Sequence, residues 1–242
     1  MIIHQYLKKG SSHDNFCEDY VFNFEIANKY LVTCVFDGCS SGTESYFASA
    51  LFGKAIKNYA KILNVDDFKT SEEIIKHLIF RTVVNIKSLA ESLFLNTDEL
   101  LSTLIILVAD LQKKTGNILC LGDGFISING TNYVIEQDNR PDYIAYHFQE
   151  FNDNITFENW YNSQLNKFEF TEIKNITIST DGISSFVYES PSDVEIDVIE
   201  FLTKDLDLIR NKSMLGRKVN ILKNKHKLIN YDDLGIIRIV EV

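Results

Sequence analysis

Hydrophobic and polar positions divide the chain into short apolar runs and longer segments of helical periodicity. Runs rich in valine, isoleucine and aromatic residues predict three strands near the start of the chain, at 2–7, 20–26 and 30–36. Apolar residues then recur every three or four positions over 47–62 and 75–93. This period predicts two long helices that each bury one face.

The rest of the chain continues with strands and ends with helices and a final strand. The predicted strands lie at 102–111, 117–123, 125–128, 131–137, 175–180 and 234–242. Residues 138–172 predict loops or short edge strands, and two further helices are expected at about 193–209 and 213–225. Strands and helices do not alternate as in βαβ units. We therefore expect one domain over residues 1–242, an α+β layered sandwich of antiparallel sheets with helices packed outside.

The composition is typical of a folded acidic protein. Hydrophobic residues make up 45% of the sequence and there are only two prolines, which favours a sizeable core. The net charge of −10 argues against nucleic acid or a membrane surface as partner, because both attract a basic surface. The four cysteines lack the spacing of a zinc site. The N-terminus carries no signal pattern and no apolar stretch reaches about 18 residues, so we expect a cytoplasmic protein.

Three Asp-Gly pairs follow apolar runs, and their aspartates either form turns or bind an ion. They are Asp37, Asp123 and Asp181. Asp-Gly between apolar runs is a strong hairpin signal, most plausible at Asp123, where a strand-like run follows at once. The acidic pairs Glu18–Asp19 and Asp232–Asp233 begin two further predicted strands. Taken alone, each position fits a turn and an ion-binding site about equally well. Together they favour a site for Mg²⁺ or Mn²⁺, which prefer carboxylate oxygens.

Six segments form an ordered pattern from Gly10 to Val240. They read "GSSHDNFCEDY", "VFDGCSSG", "LLSTLIILVAD", "LGDGFISI", "ISTDGISSF" and "YDDLGIIRIV". In this order and at these separations they resemble the metal-dependent PP2C-type (PPM) serine/threonine phosphatases, in particular the bacterial branch. The resemblance implies a four-layer αββα sandwich, in which two antiparallel β-sheets are flanked by helix pairs.

The resemblance also implies two bound ions, Mg²⁺ or Mn²⁺, and assigns their ligands. Asp37 would bridge the two ions, and the backbone carbonyl of Gly38 would bind one of them. Asp181 and Asp232 would bind the first ion. These assignments follow from the family pattern alone.

The remaining acidic positions receive roles in the same way. Glu18 would bind the second ion, with Asp19 beside it as a ligand or holding metal-bound water. Asp123 would bind a third ion more weakly. Ser102–Thr103 matches a small-hydroxyl strand motif of the family, for which packing and hydrogen bonding near the ligands are expected.

The resemblance implies hydrolysis of phosphoserine or phosphothreonine on proteins by a metal-activated water, without a covalent enzyme intermediate. The expected catalytic residues are Asp37, His13 and Asp19. A phosphorylated protein would be the substrate, and a cognate Ser/Thr kinase would be a further partner.

Two positions depart from the family pattern. Cys39 stands where eukaryotic members have a histidine that is a proposed general acid. Many members also carry a phosphate-binding arginine shortly before the acidic pair, and the loop before Glu18–Asp19 contains none here. His13 lies in that loop and could donate a proton or bind phosphate near neutral pH. The alternative for His13 is an exposed or capping loop histidine.

Other functions and features stay open. A phosphatase-like module that binds phosphorylated partners with little or no turnover is the main alternative, and a hydrolase of small phosphoesters is a weaker one. The aromatic run at 141–148 could line the substrate side of the site or form a buried strand. A basic cluster could steer an acidic phosphoprotein, or form a solvated helix face. It consists of Lys212, Arg217, Lys218, Lys223, Lys225 and Lys227.

Overall fold

Strands and helices follow one another largely as predicted in the computed structural model, which describes residues 1–42, 44–137, 141–189 and 195–241. The strands are β1 Ile2–Lys8, β2 Tyr20–Ile26, β3 Tyr30–Phe36, β4 Leu104–Asp110, β5 Thr115–Leu121, β6 Gly124–Ile128, β7 Thr131–Ile135, β8 Lys167–Phe170, β9 Asn175–Ser179, β10 Phe186–Tyr188, β11 Leu228–Asn230 and β12 Leu234–Val240. The α-helices are α1 Ser45–Ile62, α2 Ser71–Leu93, α3 Asn154–Ser163, α4 Val198–Thr203 and α5 Met214–His226. Short 3₁₀ helices lie at Val65–Asp67, Thr97–Leu100, Ile144–Phe151 and Asp181–Ser184. None of the described helices is long and apolar enough to cross a membrane.

Two five-stranded antiparallel sheets form the centre of the fold. The first sheet has the strand order β1-β12-β9-β6-β7, and the second has the order β2-β3-β4-β5-β8. Neighbouring strands are antiparallel in both sheets. The strands β10 and β11 pair with each other outside these two sheets. The first sheet joins strands from both ends of the chain, so β1 lies beside β12.

Apolar side chains fill the space between the layers. Ile105 of β4 and Ile237 of β12 belong to the core between the two sheets. The outer face of the second sheet packs against α1 and α2, through residues such as Ile56 and Leu78. The outer face of the first sheet packs against α5, through residues such as Leu222. This order of layers confirms the predicted αββα sandwich.

Three strands are buried along their whole length, namely β3, β4 and β12. Each contributes to a layer between the sheets and to a layer beneath the helices. A strand covered on both faces is apolar at nearly every position, which explains why these segments show no alternation. The edge strand β7 is exposed at its first four positions.

The segment 138–172 is more regular than predicted. Residues 138–140 lie outside the described part of the chain, and the aromatic run that follows them forms 3₁₀ turns instead of a strand. The helix α3 was not expected; it begins after Asp153, whose carboxylate accepts the N–H groups of Ile155 and Thr156 at 2.8 and 2.9 Å. Within the described part of this segment, β8 is a short edge strand, as expected.

The interpretation of Asp123 as part of a hairpin turn between neighbouring strands is wrong. The strand before it, β5, belongs to the second sheet, and the strand after it, β6, belongs to the first. The chain crosses between the sheets through Gly122, whose φ of 81° lies in the region that favours glycine. Asp123 therefore lies at the passage between the two sheets.

Two predictions for the C-terminal part need correction. The helix expected at 193–209 is confined to α4, and residues 190–194 lie outside the described part of the chain. Lys218 does not belong to a solvated face, because it is fully buried on α5. Its ammonium donates to the carbonyl of Phe201 at 2.9 Å and pairs with the carboxylate of Asp205.

Candidate metal centre

Acidic residues at strand ends converge where the two sheets meet. The second sheet contributes Asp19, directly before β2, and Asp37, directly after β3. The first sheet contributes Asp181, two residues after the end of β9, and Asp232, two residues before β12. The charges of these four carboxylates act on one another, so residues more than 200 positions apart share one electrostatic environment.

Burial and mutual repulsion make the inner carboxylates hard to ionise. Burial is the largest cause that raises the pKa of Asp19 and of Asp37 well above the ordinary value, and neighbouring carboxylates raise it further. One hydrogen bond opposes this at Asp19, because the hydroxyl of Thr180 donates to Oδ2 at 2.7 Å. Such a pair is stable as two anions only when a cation compensates the charge.

Asp181 and Asp123 form the other side of the cluster. Burial first, and then the charges of Asp232 and Asp123, raise the pKa of Asp181 to about 6. Both Asp123 and Asp181 line a cavity of about 470 Å³, together with Ser184 and Ser185. Asp123 is thus a neighbour of Asp181, at the edge of the cluster.

The turn at Asp37 is held by Thr103, which directly precedes β4, the neighbour of β3 in the sheet. The backbone N–H of Asp37 donates to Oγ1 of Thr103 at 3.0 Å, and the N–H of Thr103 donates to the carbonyl of Asp37 at 2.8 Å. Gly38 forms an isolated bridge with Ser102, and its N–H donates to the carbonyl of Glu18 at 3.2 Å. Ser102–Thr103 thus binds the backbone of Asp37 and Gly38, whereas its role beside metal ligands stays a prediction.

Asp233 holds the loop that precedes the centre, a role not assigned to it from the sequence. Its buried carboxylate accepts the N–H of Gly10 at 2.6 Å and the N–H of Glu18 at 2.5 Å. Gly10 lies so close to Asp232 that a Cβ atom would be 2.3 Å from the carbonyl carbon of Asp232. Only glycine permits this approach, which brings the loop against the start of β12.

His13 lies inside the carboxylate cluster. Its Nε2 atom is 3.0 Å from Oδ1 of Asp232, and its Nδ1 atom is 3.4 Å from Oδ2 of Asp233 and 3.7 Å from Oε2 of Glu18. The side chain is 13% exposed. The alternative of an exposed loop histidine is therefore wrong, since this imidazole is paired with carboxylates from both sheets.

Cys39 and Tyr143 meet beside Asp37. Burial is the main cause that raises the pKa of Tyr143, and the neighbouring thiol of Cys39 raises it further. The charge of Asp37 adds to the same effect. Tyr143 belongs to the aromatic run 141–148, for which a place on the substrate side of the site was one of the two interpretations of the sequence.

The donor atoms of the cluster suit a hard divalent cation. They are carboxylate oxygens with backbone carbonyls nearby, which is the ligand set of Mg²⁺ and Mn²⁺. Within the described part of the chain, His13 is the basic side chain that pairs with Asp232, and no lysine or arginine pairs with Asp19, Asp37 or Asp181. No three described His, Cys, Asp or Glu side chains are already arranged around one point as metal ligands.

Comparison with known proteins identifies the family. The chain matches the family Protein phosphatase 2C over residues 9–216. The comparison with curated proteins gives no match. The matched range includes the segments that carry Glu18, Asp37, Asp123 and Asp181, whereas Asp232 follows it.

Solved structures share the fold at low sequence identity. RsbX in complex with magnesium aligns over 98% of this chain and 92% of its own, with 17% identity and a TM-score of 0.54. A bacterial serine phosphatase aligns over 98% and 96%, with 14% identity and a TM-score of 0.61. The serine/threonine phosphatase Stp1 from Staphylococcus aureus aligns over 99% and 94%, with 14% identity and a TM-score of 0.60. These likenesses show the fold, and because the family match covers most of the sequence, the chain belongs to the protein phosphatase 2C family.

Proposed function

We propose that this chain is a metal-dependent phosphatase that hydrolyses phosphoserine and phosphothreonine on proteins. The observation that carries the proposal is the convergence of carboxylates from both sheets at one place, with Asp37 among them. Membership of the protein phosphatase 2C family supports the same reaction. The neighbour RsbX is in complex with magnesium, which supports a divalent cation as cofactor.

Two ions, Mg²⁺ or Mn²⁺, would be held by oxygen atoms of the cluster. Asp37 would bind both, and the carbonyl of Gly38 would bind one. The other ligands would be Glu18, Asp19, Asp181 and Asp232, with Asp123 for a third, weaker ion. When bound, the ions would activate a water molecule for attack on phosphorus and neutralise the phosphoryl oxygens, so that no covalent enzyme intermediate is needed.

The protein's own part is to hold these oxygens in place. Thr103 fixes the backbone of Asp37 by hydrogen bonds to both its N–H and its carbonyl group. Thr180 donates to Asp19 and accepts the N–H of Gly235 at 3.0 Å, which ties the end of β9 to β12. Such hydrogen bonds around the ligands orient them before an ion arrives.

His13 is the candidate for a group that acts on the phosphate. It stands in the loop where many family members bind phosphate, and Cys39 leaves the usual proton donor missing. The imidazole could donate a proton to the departing oxygen or hydrogen-bond a phosphoryl oxygen. We further propose that residues 1–242 act as one catalytic domain, with a phosphorylated protein as substrate and its Ser/Thr kinase as a second partner.

Turnover of p-nitrophenyl phosphate and a phosphoserine peptide with Mn²⁺ tests this proposal. We expect the purified protein to release phosphate, and EDTA, Asp37→Asn or Asp181→Asn to reduce the rate by about 10²-fold or more. Glu169→Gln, an exposed substitution on β8, is the matched control and should keep the rate. A wild-type protein that is inert with every divalent ion and with both substrates would refute the proposal.

A binding module without turnover is the second candidate. It is favoured by His13, which pairs with the proposed ligands Asp232 and Glu18 instead of leaving them open. It is also favoured by Cys39 at the donor position. Calorimetry that shows tight phosphopeptide binding with no phosphate release would support this candidate over the enzyme.

A further inference from the structure

A cavity of about 490 Å³ opens at the edge of the metal centre. Its lining includes His13 and Glu18, which also belong to the carboxylate cluster, and continues over Asn15 and Ser40. Ser40 is tied to the centre, because its hydroxyl donates to Oε2 of Glu18 at 2.7 Å. If a phosphorylated side chain reaches the cluster, the residues next to it in the substrate lie at this cavity.

The cavity is acidic. Its described lining carries the carboxylates of Asp14, Glu18 and Glu44 and contains no lysine or arginine. Lys9 is near the same loop, but its ammonium is held by the carbonyls of His13 and Asp14, at 2.6 and 2.7 Å, and it is not part of the described lining. The net charge of the chain is −10. A cationic segment is attracted to such a cavity, and an acidic one is repelled.

An aromatic pair forms one wall of the cavity. It is a second observation, separate from the charge of the lining. Phe16 stacks on Tyr46, with ring centroids 4.3 Å apart and an angle of 28° between the rings. Phe16 is nevertheless 56% exposed. An exposed ring of this kind can pack against the alkyl stem of lysine or arginine and interact with the cationic group.

The loop that carries these residues is anchored, so the wall has a fixed position. Asp233 accepts the N–H groups at both ends of the loop, from Gly10 and Glu18. Ser12 donates its N–H and its hydroxyl to the carbonyl of Tyr231, at 2.9 and 2.7 Å. A surface that is already ordered loses less conformational entropy on binding than a flexible surface.

We propose that this cavity binds the residues that flank the phosphorylated side chain of a protein substrate, and that it selects flanks containing arginine or lysine. The inference rests on the proposed phosphatase function, because it names the class of substrate for the same site. The carboxylates of Asp14 and Glu44 pair with the cationic group of the flank, and the stack of Phe16 and Tyr46 packs against its stem.

Three phosphoserine peptides of equal length test the selection. They carry two arginines, two alanines or two glutamates beside the phosphoserine, and are assayed with Mn²⁺ at low and high NaCl. We expect kcat/KM for the arginine peptide to exceed that for the alanine peptide by about tenfold at low salt, with the glutamate peptide slowest. The difference should shrink at high salt, because the charges are exposed and screened.

Variants of the cavity separate its contribution from the overall charge. Glu44→Gln and Phe16→Ala are each expected to lower the arginine-to-alanine ratio of kcat/KM to about threefold or less. Glu169→Gln changes the net charge as Glu44→Gln does but lies outside the cavity, and it should keep the ratio of the wild-type protein. An unchanged ratio in both cavity variants would assign the preference to the overall charge and overturn the inference.

The failure of this inference differs from failure of the proposed function. If the protein releases phosphate from all three peptides at equal rates, the selection is wrong and the phosphatase stands. If no substrate is hydrolysed, the phosphatase is wrong, and the anisotropy of fluorescently labelled peptides still tests the cavity. Tighter binding of the arginine peptide, reduced by Glu44→Gln, would support the cavity as a site for basic segments, and equal binding would overturn it.

Discussion

His13 lies in contact with carboxylates that begin a strand in each of the two sheets. Asp232 and Asp233 precede β12 of the first sheet, and Glu18 precedes β2 of the second. The imidazole is thereby placed at the junction where the proposed reaction occurs.

Replacing His13 tests whether it takes part in turnover. We expect His13→Ala to lower the rate of peptide dephosphorylation by about 10²-fold at saturating Mn²⁺, the scale of a lost proton donor or phosphate contact. His147→Ala is the matched control, because His147 is another partly buried histidine paired with an aspartate, Asp142, outside the carboxylate cluster. Steady-state rates and circular dichroism of both variants provide the measurement. A rate equal to that of the control would assign His13 a structural role only.

At the scale of secondary-structure elements, short turns determine the position of the proposed metal ligands more than the long helices do. The 3₁₀ turn Asp181–Ser184 packs against the segment before β12, where Gly182 lies beside Asp233. A Cβ atom on Gly182 would lie 1.6 Å from the carbonyl oxygen of Asp233. The glycine after Asp181 is thus required for contact between two acidic motifs, whatever the turn type.

Gly182→Ala is therefore expected to destabilise the fold. The added methyl group cannot fit without a shift of the backbone at Asp233, and overpacking of this kind costs about 3 kcal/mol. Urea denaturation measures the change in the free energy of unfolding. Ser184→Ala, a substitution at an exposed position of the same turn, should cost about 0.5 kcal/mol or less. Equal stability of Gly182→Ala and the wild-type protein would show that the two segments are not in this contact.

At the scale of the whole molecule, the fold concentrates negative charge between its two sheets. Asp19, Asp37 and Asp181 all have a raised pKa, with burial as the main cause. An acid whose pKa is higher in the folded than in the unfolded state binds more protons when folded. Its contribution to the free energy of unfolding is therefore lost as the pH rises, unless a cation is bound.

Asp181→Asn should change stability in opposite directions with and without metal. Asp181 has a pKa of about 6 when folded, against an ordinary value of 3.8, so its repulsion develops from about pH 4 and is complete above about pH 6. In EDTA at neutral pH we expect the variant to be more stable than the wild-type protein by about 1 kcal/mol, because water reaches this carboxylate and screens it. The advantage should vanish near pH 4.

With Mn²⁺ the order should reverse, since only the wild-type protein keeps the full ligand set. Binding of an ion to the folded state adds RT ln(1 + [L]/Kd) to the free energy of unfolding, about 2.7 kcal/mol at a hundredfold excess over Kd. Thermal unfolding of both proteins with EDTA and with Mn²⁺ gives the four values needed. If Mn²⁺ stabilises the two proteins equally, Asp181 is not a ligand.

The sequence predicted those features that depend on local patterns. Continuous apolar runs indicated β3, β4 and β12, and helical periodicity indicated α1 and α2. In each element, burial requires apolar residues at regular positions along the sequence. The helix α3 was missed, since its buried residues are Phe157, Trp160 and Tyr161 in an otherwise polar segment. At Asp123 the hairpin signal was misleading, because a two-residue connection between apolar runs looks alike within one sheet and across two.

By itself, the sequence determined the fold class and the set of acidic residues at strand ends, since hydrophobic periodicity and residue type can be read directly from the sequence. Only the tertiary structure decided which of them meet, that Asp233 anchors the loop of Gly10 and Glu18, and that Tyr143 lies near Cys39. The physical reason is distance along the chain. These contacts join segments about a hundred or more residues apart, and their positions follow from how two sheets pack, which no local pattern encodes.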